Sequence, residues 1–143
     1  MSQLVITLLR VHCDEVTDDF LEGMSDEVGW KLKAKDAAGK QLLNVKQMPM
    51  AELASMVRGT DYTVNREIVR LSNEWREAEL EFWDHDIFTP NDLLGRLHIK
   101  RDGGGTFTVT AGKTAEDLGG GQYHMTGEDS DYRFWLQFEE VPD

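Results

Sequence analysis

An all-β sandwich or barrel is the fold the sequence predicts, on three observations. About eight or nine short apolar stretches recur at roughly even spacing along the chain. Several of them alternate apolar and polar residues with period two, the pattern of a strand with one buried face. Stretches rich in helix formers are nearly absent. At 143 residues the chain has the size of one domain, with no repeat and no linker.

The elements follow in order. Leu4 to Val11 is a continuous run of leucine and β-branched residues, suited to a strand buried on both faces. Residues 14–27 are acidic and turn-like. Val28, Trp30, Leu32 and Ala34 then alternate with Lys31, Lys33 and Lys35, a half-buried strand. Asp36 to Lys40 with Gly39 reads as a turn, and Leu42 to Val45 opens the next strand. Pro49 to Arg58 carries good helix formers and predicts one or two helical turns. Tyr62 to Leu71 reads as a strand. Ala78, Leu80 and Phe82 alternate with Glu77, Glu79 and Glu81, a strand with one wet face. Leu94 to Lys100, Thr106 to Ala111, Gln122 to Met125 and Tyr132 to Phe138 complete the set. The glycine groups at 103–105 and 119–121 read as loops, and 112–121 as a mobile stretch.

Charge narrows the function. The 27 acidic and 15 basic side chains give a net charge of −12. That surplus repels phosphate backbones, which argues against nucleic acid as a partner, and it opposes simple attraction to anionic lipid. No stretch approaches the roughly 20 apolar residues that span a bilayer. No basic region precedes an apolar run at the N-terminus, so no signal peptide is expected. Cys13 is the one cysteine, so neither an intrachain disulfide nor a thiolate zinc site is available. A cytoplasmic location fits, as does export without a cleaved signal.

The most informative segment runs from Phe82 to Gly95. It holds Asp84-x-Asp86 and, after five residues, Asp92. Residues two apart at a strand end leave on the same side, and Thr89-Pro90-Asn91 favours a turn that returns Asp92 toward them. Converging carboxylates repel unless a cation sits between them, and hard oxygen ligands in that number suit calcium. An EF-hand is excluded, because a loop starting at Asp84 places Phe88 and Thr89 where an oxygen ligand and a glycine are required.

These residues resemble the third calcium-binding loop of C2 domains, whose pattern is Asp-x-Asp, five residues, Asp, an apolar residue and glycine. Leu94 and Gly95 occupy the last two places. The first loop of that family carries an aspartate followed by Gly-x-Ser-Asp and a strand. Here Asp18-Asp19 precedes Gly23-Met24-Ser25-Asp26, and the strand from Val28 follows. The resemblance implies a C2-like antiparallel β-sandwich of about eight strands. It also implies one or two calcium ions held by Asp18 or Asp19, Asp26, Asp84, Asp86 and Asp92. Glu27-Val28 stands where the family usually has Pro-Tyr, and Lys31, Lys33 and Lys35 are all that corresponds to its basic lipid-binding patch. Apolar loop tips that enter membranes in the family correspond to Phe20, Leu21 and Met24 in loop one and Ile87 and Phe88 in loop three. Those side chains equally suit a fold back onto the sandwich edge or contact with a protein partner.

The expected function is therefore a calcium-binding module, not an enzyme, acting on a phospholipid membrane surface or a protein partner. The alternative is a calcium-independent interaction scaffold: an adaptor, inhibitor or assembly subunit. Of the histidines His12, His85, His98 and His124, His85 lies between two candidate ligands and His98 on a polar strand face. Imidazole suits zinc, nickel or iron, but the spacing matches no zinc signature. Trp30, Trp83, Phe107 and Phe134 read as core, whereas Trp135 falls out of phase with the inward face. There is no Gly-x-Ser-x-Gly, and Gly112-Lys113-Thr114 lacks the earlier glycine of a P-loop. Paired carboxylates suit glycoside hydrolysis in principle, but no substrate cleft is legible around them.

Overall fold

The computed structural model describes residues 2–15, 25–54, 56–57, 59–85, 91–102, 106–127 and 130–142. Its strands are β1 (Ser2–Glu15), β2 (Ser25–Asp26), β3 (Val28–Lys35), β4 (Gln41–Gln47), β5 (Met56–Val57), β6 (Asp61–Leu71), β7 (Glu77–Asp84), β8 (Asp92–Arg101), β9 (Phe107–Ala111), β10 (Ala115–Gly119), β11 (Gln122–Thr126) and β12 (Asp131–Pro142). Two five-stranded antiparallel sheets form the molecule. The first runs β10-β11-β12-β1-β6 and the second β4-β3-β7-β8-β9, with β2 paired separately to β5. The expected antiparallel β-sandwich is the observed fold, with five strands in each layer where about eight in all were expected.

Alternation decides which residues meet between the layers. Leu4, Ile6, Leu8, Val11 and Cys13 of β1 and Tyr132, Phe134 and Leu136 of β12 face Trp30, Leu32, Leu80, Phe82, Leu97 and Ile99 of the second sheet, all buried. The Phe82 and Phe134 rings stack across the interface with centroids 4.2 Å apart and 24° between planes. Trp75, outside any strand, is also fully buried, with the Arg101 guanidinium 5.6 Å from its ring centre.

Several expectations are corrected. β1 is not buried on both faces: Thr7 and Leu9 are half-buried and Arg10 is exposed. A bulge between Leu8 and Arg10 adds Leu9 against β12, so Leu8 and Val11 both turn inward although they are three apart. The stretch 49–58 forms one helical turn, as expected, the 3-10 turn Ala51–Leu53; the addition is β5, which follows it. Met50, Leu53 and Met56 are fully buried, and the Met50 amide donates to the Val28 carbonyl at 2.9 Å. Packing of every third side chain therefore outweighs helix propensity. Within 112–121, Ala115–Gly119 is a strand paired to β11, and Gly119, Gly120 and Gly121 all carry the positive φ that its tight turn demands. Trp83 is not core but lies on the outer face, under the Lys31 ammonium at 4.5 Å and donating to Glu81 at 3.2 Å. Phe107 is half-buried against the core, while Trp30 and Phe134 are buried as expected.

The outer face of the second sheet is an ion-pair layer. Arg96 Nε donates to Glu81 at 2.7 Å and lies 3.1 Å from Glu79. Burial pushes the Glu81 carboxyl up, but hydrogen bonds from Arg96 and Trp83 and the Arg96 charge outweigh it and hold the group below its ordinary 4.5. A depressed carboxyl stabilises the fold above its unfolded pKa, and that contribution is lost as pH falls through the folded value. Glu81→Gln should therefore lower the urea midpoint at neutral pH, and the gap from the parent should close as the buffer is taken well below pH 4.5. A gap that stays constant with pH would contradict this account.

Gly29 sits where the chain leaving β4 crosses β3. A Cβ there would run into the Gln47 carbonyl oxygen and stand 2.9 Å from the Met48 Cα, both backbone atoms that cannot swing away. Gly29→Ala should cost about 1–3 kcal/mol or more, read as a lowered thermal midpoint.

Candidate cation site at one end of the sandwich

Both sheets bring acidic residues to the same end. β1 finishes at Glu15, which pairs with Asp131 at the start of β12, while β7 finishes at Asp84, which pairs with Asp92 at the start of β8. Val28, where β3 begins, pairs with Asp84 on its other side. The two sheets touch here through Gly127: a Cβ on it would lie 2.7 Å from Ser130 Oγ and 2.9 Å from Asp92 Oδ2.

Asp84 is the buried member of the group, only 2% exposed. It continues the inward series of Ala78, Leu80 and Phe82, so its carboxylate enters the end of the inter-sheet space. Oδ1 accepts the Glu27 amide hydrogen at 3.1 Å, and the His85 amide donates to the Glu27 carbonyl at 2.7 Å. These two bonds tie the residue after β2 to the end of β7. Asp92, its direct cross-strand partner, shares its face, which sets the two Cβ atoms roughly 5 Å apart. The Ser130 hydroxyl, 3% exposed, has no hydrogen-bond partner among the described residues. The arrangement offers two carboxylates and a free hydroxyl oxygen, a hard-oxygen donor set that fits calcium.

The remaining candidates are placed less fully. Asp26 is in β2 opposite Met56. Asp18, Asp19 and Asp86 lie outside the described residues, as do Phe20, Leu21, Met24, Ile87 and Phe88.

A second group, unforeseen from the sequence, occupies the outer face of the first sheet near the same end. One row of residues in register crosses all five strands: Glu116, His124, Arg133, His12 and Asp61. Asp14 and Asp131 stand beside this row. Arg133 donates to both Asp14 oxygens at 3.0 Å, and His124 Nε2 makes a short contact with Asp131. His12 is held from both sides, Nδ1 2.6 Å from Asp61 and Nε2 3.2 Å from Asp14. The His12 hydrogen bond, helped by Arg10 and only partly opposed by desolvation, holds the Asp61 carboxyl below its ordinary 3.8. The Asp14 hydrogen bonds push the Arg133 guanidinium up from its ordinary value. Trp135 covers the next position of β12, under Arg10 at 4.3 Å and Arg133 at 5.9 Å. The signal available in the sequence was period two: His12 and Asp14 alternate with Val11 and Cys13, so both leave on the outer face.

No protein-family model and no curated protein matches the sequence. Among solved structures the chain is similar to a C2 domain, the one designated A, of a plant extended synaptotagmin 1. The match spans 99% of this chain and 97% of that one, at 9% identity and a TM-score of 0.43. The fold class rests on the sheets themselves: two antiparallel five-stranded layers with β1 and β12 paired at the centre of one of them. No helix among the described residues is long and apolar enough to cross a membrane.

The bond from Asp84 to Glu27 gives a test that needs no cation. Asp84→Ala leaves a part-buried amide without its acceptor and should cost about 1–3 kcal/mol in chelator, whereas Asp84→Asn keeps an acceptor oxygen and most of the stability. Urea unfolding of both variants checks the order; equal losses would contradict it.

Proposed function

We propose that the chain is a calcium-binding C2-like module in which the ion organises one end of the sandwich for contact with a membrane surface or a protein partner. The observation that carries this reading is the pairing of Asp84 with Asp92, two carboxylates facing one space, with the unsatisfied Ser130 hydroxyl beside Asp92. Like charges opposed across a ladder are destabilising, and a divalent cation between them converts that cost into a favourable term. Asp26, Asp86 and one of Asp18 and Asp19 complete the coordination in this reading, since calcium takes six to eight oxygens. Phe20, Leu21, Met24, Ile87 and Phe88 are then the contact residues. Calcium offsets the −12 charge where a negatively charged partner approaches.

Thermal unfolding in excess calcium, in magnesium and in chelator tests the proposal. At a hundred times the dissociation constant one ion adds about 2.7 kcal/mol, several degrees of midpoint. Asp92→Asn should remove most of that rise and, by relieving the repulsion with Asp84, raise the midpoint in chelator. No calcium-specific rise at millimolar concentration would end the calcium reading.

One observation favours the alternative, a calcium-independent interaction scaffold. Asp84 Oδ1 is already committed to the Glu27 amide, a structural role that needs no ion. Partner association that survives chelation would decide for the scaffold.

A further inference from the structure

We propose that Asp14, His124 and Asp131, on the outer face of the first sheet, form a binding site for a divalent transition-metal ion, with zinc the best match. One ligand atom from each residue lies within 4.8 Å of those of the other two. Donors about 2.0–2.2 Å from a tetrahedral zinc ion lie roughly 3.4 Å from one another, so an ion entering here replaces the His124–Asp131 hydrogen bond and draws the more distant donors together. The donors are one imidazole nitrogen and two carboxylates from three neighbouring strands: His124 of β11 and Asp131 of β12 next to each other across the ladder, and Asp14 at a bulge of β1 between Cys13 and Glu15. Imidazole separates this set from the all-oxygen group around Asp84 and Asp92: a borderline-soft ion takes mixed nitrogen and oxygen donors, and calcium does not need them.

The surroundings orient the donors. Arg133 grips both oxygens of Asp14 and fixes the plane of that carboxylate, which keeps further lone pairs for an ion. His12 contacts the same carboxylate through Nε2 while Asp61 fixes its Nδ1. Such outer partners are how metal sites hold their ligands in place. With neutral imidazoles, Asp14, Asp61, Glu116 and Asp131 outweigh Arg10 and Arg133 by two negative charges, so a dication is electrostatically welcome. Three protein ligands leave a fourth tetrahedral position for water or for a group on a partner.

Calorimetric titration of Zn2+ into the full chain, in saturating calcium so that the loop carboxylates are occupied, tests the site. The parent, His98→Gln and Asp92→Asn should each take up one zinc, because His98 is an exposed histidine paired only loosely with Glu79, at 3.7 Å. His124→Gln and Asp14→Asn should bind about tenfold more weakly or worse. A zinc-induced rise in the thermal midpoint should appear in the parent and vanish in His124→Gln. Zinc affinity unchanged in His124→Gln, or no uptake by the parent, overturns the proposal. Should His124→Gln fail to fold, imidazole NMR signals decide: zinc must shift His124 before His98, and the reverse order rejects the site. Loss of calcium binding in Asp92→Asn leaves these readouts untouched, so this site and the calcium site succeed or fail separately.

Discussion

Phe82 and Phe134 meet midway between the sheets with their rings 4.2 Å apart, and the rest of the molecule is arranged around that contact. It fixes the inward phase of β7 and of β12. Every second residue from Phe82 then enters the core, and the last in that series is Asp84. The same periodicity that buries Leu80 and Phe82 therefore buries a carboxylate, and the Glu27 amide is the neighbour that makes this tolerable. From Phe134, the same logic sends Arg133 and Trp135 outward, where they meet His12, Asp14 and Arg10. The candidate inward site and the outer-face cluster are consequences of one alternation read from its two sides.

Charge is distributed unevenly between those sides. The outer faces place acids against bases: Glu81 with Arg96, Asp14 with Arg133, Asp61 with Arg10. The more exposed pairs, Asp14 with Arg133 and Asp61 with Arg10, contribute little each, and their value lies in orienting side chains more than in stability. At the inward end, Asp84 and Asp92 are direct cross-strand neighbours. A protein with a large acidic surplus could have left both in water, and instead one of them is almost fully enclosed.

Strand positions were legible wherever one face was wet, as in β3, β7 and β12, because alternation there has a single reading. Legibility failed where packing set the conformation. Met50, Leu53 and Met56 look like a helix in isolation and form a plug with a 3-10 turn instead. Leu4 to Val11 looked doubly buried because the bulge at Leu9 breaks its phase, and no local residue announces a bulge. Of the candidate site, the Asp84–Asp92 pairing followed from strand ends joined by a short connection. The Asp14–Arg133 contact spans 119 positions and depends on which strands are neighbours, which period-two patterns do not encode.

The pairing of β1 with β12 sets Ser2 opposite Pro142 and Glu15 opposite Asp131. In the first sheet, β1 therefore has only β6 to lie against until β12 has been made. A chain emerging from a ribosome can cover Leu4, Ile6 and Leu8 with the second sheet, but the other edge of β1 stays open until β12 is made. Topologies dominated by such distant pairings fold in milliseconds to seconds, slower than helical bundles by orders of magnitude. The heavy acidic surplus has a use during that interval: chains with exposed β1 strands repel one another before the sandwich closes.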